Sequence, residues 1–465
     1  MTRTRPGGTL NRRHFLAAAS AALLPTPALA QAGASDVDVV IIGGGAAGIA
    51  AARRVAEARR SYVLLEAGPR LGGRARTESA FGLKVDLGPG GFAGSEGTLG
   101  VRAQAAGQPL IPLPSGRRLF ADGHEVRESG YDAFSAALGA AQRNMLAAIE
   151  GGKDMSAAQA LASAPPPPPG KAGAGDRSAA ASPWMPTVAQ LLGPLSCGRP
   201  LAALSALDLS RRDARPDDTT SPFGVGALME ALGAWVNVQR EAPVTLITHG
   251  GRFHSVSVRG QRTPIRARAI VLAVPAPVLA AGAIRFNPVL PTRLVNALRA
   301  VPAGHLEQVA FILAGNPLGL LPNETVLTRA SDAAPALLQG RINGSDLHRL
   351  TFADAPARAI AEKGAEVALP LAEAWLRTHF PGAPARISEV MTSRWGQDPL
   401  IRGALSAALP GQGAQRGVFA DTVQNRIFLA GDYVPLSGWG TLAGAWSSGE
   451  AAADRALRLF GDGPA

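Results

Sequence analysis

Apolar residues cluster along the chain with two spacings. From Val39 to Ile42 they run without a break, within the β-branched segment Val37–Ile42 that only Asp38 interrupts, which predicts a strand buried on both faces, as in a parallel sheet. Ile49 to Arg60 is rich in Ala and Arg and lacks Gly and Pro, which predicts a helix. Tyr62–Leu65 predicts a second strand, ending at Glu66. Further on, Val244–Ile247 and Phe253–Val258 flank Gly250-Gly251 and predict a hairpin, followed by a buried strand over 270–275. Near the end, Arg426–Ala430 predicts a strand that runs into Gly431-Asp432, and a helix is expected from about Thr441 to Leu459.

The glycines between the first strand and helix give these elements a chemistry. Gly43 suits a tight turn, Gly45 lets backbone approach a pyrophosphate, and Gly48 lets the helix pack closely on the strand. Gly43, Gly45, Ala47 and Gly48 therefore form a candidate phosphate cradle at a helix N-terminus. Glu66 follows about twenty residues on, where a carboxylate accepts hydrogen bonds from ribose hydroxyls. An acid there also disfavours a ribose 2′-phosphate, and with it NADP. Glu66→Gln is expected to be milder than Glu66→Ala, because it keeps an acceptor oxygen.

Composition narrows the remaining classes. The 465-residue chain is 46% hydrophobic and 17% charged, as for two or three folded domains. One cysteine, Cys197, excludes a disulfide scaffold and cysteine-based metal centres, and the scattered histidines predict no metal site. The formal charge is +11, carried mostly by Arg, since Lys occurs only at 84, 153, 171 and 363. Basic residues do not interleave with aromatics in runs, so no nucleic-acid role is expected. Residues 1–30 combine Arg3, Arg5, Arg12 and Arg13 with a short apolar stretch and Ala28-Leu29-Ala30, the layout of a signal peptide. Arg12-Arg13-His14-Phe15-Leu16 is similar to a twin-arginine export signal, which implies a periplasmic or secreted protein with no stable membrane span. Gly151–Ser182, with five prolines at 165–169, is expected to be a flexible surface loop.

The segment Glu66-Ala67-Gly68-Pro69-Arg70-Leu71-Gly72-Gly73-Arg74 resembles the second fingerprint of FAD-dependent flavin monoamine oxidases, within the group that holds amino-acid and polyamine oxidases. The resemblance spans about 36–95, 225–291 and 394 to the end. It implies an α/β fold: a Rossmann-like FAD-binding domain from 36–95, 225–291 and 413–462, interleaved with an α+β substrate domain from 96–224 and 292–412. It implies non-covalent FAD, held by Ala67, Gly73 and Arg74 near the diphosphate, Gly88 and Gly90 of the Asp86-Leu87-Gly88 turn, and the Val244 backbone at the adenine. Gly431 and Asp432 would hold the ribityl chain, and the helix starting near Leu442 would face the flavin's pyrimidine end.

On the substrate side the resemblance implies Trp395 beside the flavin ring, and Trp439 offers an aromatic wall. Gln308 stands where the family usually has a Lys, and Leu405 and Thr441 stand where monoamine oxidases have two Tyr. The implied reaction is oxidation of a small-molecule amine to an imine, with dioxygen or an electron carrier as final acceptor. A desaturase or dehydrogenase serving a carrier, and a flavin-binding partner protein without turnover, are the alternatives. Oligomeric state is not legible.

Overall fold

The computed structural model describes residues 36–163, 182–212, 215–383 and 386–461. The expected signal peptide and most of the proline-rich segment lie outside them. Inside the expected 151–182 loop, Ala157–Ala162 is helical, started by a reciprocal cap between Ser156 and Gln159.

The elements that position the site are strand β1 (Asp36–Ile42), helix α1 (Ala46–Glu57), β2 (Tyr62–Leu65), α2 (Val225–Gly233), β3 (Val244–Gly250), β4 (Phe253–Val258), β5 (Ile265–Leu272), β6 (Leu306–Ile312), β7 (Leu347–Ala353), α3 (Asp354–Lys363), α4 (Ala365–His379), β8 (Ile427–Leu429) and α5 (Leu442–Arg458). Helix α1 starts earlier than the Gly-rich pattern suggests, because Ala46 and Ala47 already belong to its first turn.

Among the described residues, eight strands form a first sheet in which β1 lies between β5 and β2, with β8 beside β5. These three pairings are parallel, with Val40 opposite Ile270 and Val63. The unbroken apolar run of β1 follows from burial on both faces. Val40 and Ile42 enter a core with Val63, Leu65 and the β3–β4 hairpin, and Val39 and Ile41 enter another with α1, α2 and α5.

A second sheet of seven described strands has β6 and β7 second and third from one edge, antiparallel, with Gln308 opposite Thr351 and Ala310 opposite Arg349. One face presents Val309, Phe311, Leu350 and Phe352 to α3 and α4, where Trp375 is buried. The alternate residues of β6, Leu306 and Gln308, face the other way, onto the cleft described next. Among the described residues no helix is long and apolar enough to cross a membrane.

Candidate functional site: a dinucleotide cleft between the two sheets

A cleft of about 620 Å³ runs from the carboxyl ends of β1, β2 and β5 to the second sheet. Its floor is mostly backbone. Gly43 adopts φ +101°, and a Cβ there would lie 2.5 Å from the Ala273 carbonyl. Gly45 is different: a Cβ would meet nothing within 4 Å, so its open face looks into the cleft. No side chain caps α1, whose first residues Ala46 and Ala47 line the cleft. Its first-turn N–H groups and positive dipole end are thus free for an anion.

Gly48 is not in the lining. A Cβ there would sit 1.8 Å from the Gly43 carbonyl oxygen, so this glycine lets α1 begin tight against the turn. Glu66, at the end of β2, accepts hydrogen bonds from the N–H groups of Gly44 and Gly68, each 2.6 Å. Burial pushes its carboxyl up from the ordinary range, opposed by those N–H donors. Ala67, Gly73, Gly88 and Val244 line the same cleft.

Arg74 and Asp432 both line the cleft and are ion-paired to each other. Arg74 also donates to the Ala404 carbonyl. It therefore ties the segment crossing above the cleft to the C-terminal motif. At that motif Gly431 is held by Ser448, whose hydroxyl accepts from the Gly431 N–H at 2.9 Å. Thr441 caps α5, accepting from the Gly444 N–H at 2.9 Å, and Leu442 lines the cleft beside it.

The roof is made of side chains: Leu306, Gln308, Trp395, Leu400 and Leu405. Trp395 is fixed by its indole N–H donating to the Leu87 carbonyl at 2.9 Å. Gln308 lines the cleft and its amide oxygen accepts from the Thr351 hydroxyl at 2.8 Å, which leaves its amide N–H groups as the remaining donors.

Besides Gly48, two expected site residues lie elsewhere. Gly90 does not line the cleft; a Cβ there would strike the Arg349 guanidinium at 2.0 Å. It makes room for that buried arginine, which donates to the carbonyls of Asp86 and Gly88 and so holds the turn. Trp439 is fully buried behind the cleft and is no wall of it. Its indole N–H donates to the Asp208 carbonyl at 3.1 Å, and the guanidinium carbons of Arg416 and Arg212 lie 4.2 and 5.1 Å from its ring centroid. Leu405, packed in the same apolar cluster, is the residue that reaches the cleft.

Sequence reading missed Glu307, Thr351 and Arg349. Glu307 carried a signal, being an acid inside the apolar run Leu306–Ile312. Thr351 and Arg349 carried none, because their partners come from other strands and turns.

An uncapped helix N-terminus behind an open glycine, an acid at the end of the second strand, and a roofed cleft fit a dinucleotide. The fold and site define a flavin-dependent oxidoreductase, and the residues present fit FAD. Residues 46–457 match the family model for flavin containing amine oxidoreductases. The chain belongs to that family. It is 26% identical over 463 residues to polyamine oxidase 4 of Oryza sativa subsp. japonica, covering 93% of this chain and 90% of that protein. It is 24% identical over 248 residues to the human lysine-specific histone demethylase 2, covering 50% of this chain and 29% of that one. A putrescine oxidase solved bound to putrescine shares the fold with a TM-score of 0.74 at 18% identity, covering 92% of this chain and 99% of its own.

Proposed function

We propose that this protein is an exported amine oxidase that converts a small-molecule amine to an imine, using non-covalent FAD and dioxygen. The observation that carries the reading is the roof, where Trp395 and Gln308 stand over a cleft floored by the dinucleotide cradle. Bound flavin supplies a two-electron acceptor for the C–H bond beside the amine nitrogen, and dioxygen then takes those electrons to give hydrogen peroxide.

The chain's own residues bind and orient. Trp395 offers a flat wall whose tilt is set by its bond to Leu87. Gln308 offers uncharged donors, its amide oxygen being held by Thr351. Leu306 and Leu405 keep the adjoining surface apolar, which favours the neutral amine over the ammonium form. The N-terminus of α5 brings a partial positive charge to the cleft, where it favours an electron-rich ligand.

Non-covalent binding is supported by Cys197, which is buried outside the cleft lining with its thiol 3.8 Å from the Leu192 carbonyl. Export is read from residues 1–30. Fusing those residues to a reporter that is active only after folded export, with Arg12 and Arg13 changed to Lys in the control, tests it.

Anaerobic addition of primary, secondary and amino-acid amines to the purified yellow protein should bleach the flavin with at least one of them. Air should then restore the colour and release peroxide. A flavin that stays oxidised across the panel would overturn the amine reading. Gln308 and Leu405, in place of the Lys and Tyr that the resemblance leads one to expect, favour a second reading, a dehydrogenase serving a carrier. Bleaching followed by fast reoxidation by a carrier dye and slow reoxidation by air would select it.

A further inference from the structure

Glu307 lies next to Gln308 on β6 and is 1% exposed. Among the described residues its carboxylate accepts from three donors, the Ser393 hydroxyl, the Trp395 N–H at 3.0 Å and the Gly396 N–H at 3.0 Å, and the charge of Arg394 also favours its ionised form. Ser393 is bound a second and a third time to the neighbouring residue. Its hydroxyl accepts from the Gln308 N–H at 2.8 Å, and its own N–H donates to the Gln308 carbonyl at 3.0 Å. One buried acid thus clamps segment 393–396 onto β6 at the point where both send a side chain into the cleft.

The chemistry of the clamp is specific to a carboxylate. Three converging donors need acceptor lone pairs on both oxygens, and an ionised Glu offers only acceptors. A Gln of the same length would turn an N–H2 group toward at least one donor. Burial raises the carboxyl, while the three donors act to keep it ionised. Apolar packing alone would hold segment 393–396 near β6 without fixing the indole plane. The Trp395 backbone N–H bond at one end and its indole bond to Leu87 at the other fix that plane.

We propose that Glu307 is a positioning residue that sets the ring plane of Trp395 and the backbone of Gln308 against the bound flavin. The proposal rests on the reading that FAD occupies this cleft. It does not require that the substrate be an amine.

The test uses the FAD-loaded protein with Glu307→Gln and Ser393→Ala. The first readout is the visible circular dichroism of the bound flavin, which reports the asymmetry of its surroundings. Glu307→Gln should keep wild-type flavin content and change the sign or intensity of those bands, and Ser393→Ala should change them in the same direction by less. The second readout is anaerobic bleaching. Its limiting rate should fall about tenfold in Glu307→Gln, as for a misplaced reacting geometry, with half-saturation little changed.

A Glu307→Gln protein that melts at lower temperature but keeps wild-type dichroism and limiting rate would overturn the proposal, leaving Glu307 as a fold-stabilising residue. A change in half-saturation alone would also overturn it. If Glu307→Gln fails to fold, Ser393→Ala decides: unchanged dichroism there overturns the proposal. If no amine bleaches the wild type, the amine reading fails, and the dichroism comparison still decides the role of Glu307.

Discussion

The floor and the roof of the cleft are built from different materials. The floor is backbone: the turn from β1 into α1 offers N–H groups, and its glycines either leave space for a ligand or let two chain segments touch. The roof is side chain: Gln308, Trp395 and Leu405 project from segments far apart in sequence, and hydrogen bonds from Thr351 and Leu87 hold two of them. A backbone floor can be damaged by adding atoms and hardly altered otherwise. A side-chain roof can be rewritten residue by residue. On the proposed function, the surface that would meet the cofactor's phosphates tolerates little change, and the one that would meet the substrate can be varied.

The sharpest way to break this contrast is to add one methyl group at two floor positions. Gly48→Ala forces a Cβ against the Gly43 carbonyl and should cost about 3 kcal/mol or more, seen as a lowered denaturation midpoint with loss of flavin. Gly45→Ala meets no protein atom and has φ −74°. It should fold with a wild-type midpoint and bind FAD at least about tenfold more weakly by dialysis. Equal midpoints in the two variants would show that the glycines do not divide in this way.

Behind the roof, Trp439→Ala should cost about 3–5 kcal/mol, since it empties a fully buried site between Asp208, Arg416 and Cys197. Denaturant unfolding measures this. Unchanged stability with altered turnover would return Trp439 to the substrate side.

Glu66 sharpens the comparison at the floor. Glu66→Ala should weaken FAD roughly ten- to a hundredfold by removing a charge-assisted acceptor. Because each oxygen already accepts a backbone N–H, from Gly44 or from Gly68, Glu66→Gln must turn an N–H2 group toward one of them. It should cost nearly as much as Ala, not less. Retention of FAD by Gln but not by Ala after dialysis would mean that the backbone bonds matter less than the ribose.

The smallest expected difference is in acid. His254, in the first sheet, and His379, on α4 behind the second, are both held neutral by burial, their pKa values lowered from 6.5 to about 4. The unfolded chain takes up a proton on each below about pH 6.5, while the folded chain does not until near pH 4. The stability each contributes is thus lost as pH falls from 6.5 to 4 and changes little below that, by about 1–3 kcal/mol per histidine. Denaturant unfolding of His254→Asn and His379→Asn across that window should show a flatter slope in both. A flatter slope in only one would separate the two halves of the molecule.

Much of the floor was legible in the chain. A continuous β-branched run, three spaced glycines and an acid at the end of the next strand follow one another within Val37–Glu66, so local rules were enough to place them. The same rules located the C-terminal strand, the Gly431-Asp432 turn and the helix after it, because each is signalled by its immediate neighbours. Gln308 and Trp395 at the roof were pointed to by the resemblance to flavin monoamine oxidases and not by these local rules.

Tertiary structure alone decided what those residues touch. Arg74 meets Asp432 and Ala404, more than three hundred positions away. Gly90 serves Arg349, and Trp439 lies behind Leu405 instead of in front of the cleft. Glu307 binds segment 393–396 only because β6 and that segment are brought side by side. Periodicity and turn chemistry act over a few residues, so they fix elements and their local caps. Partners drawn from opposite ends of the chain are chosen by the packing of two sheets, and no local pattern encodes that choice.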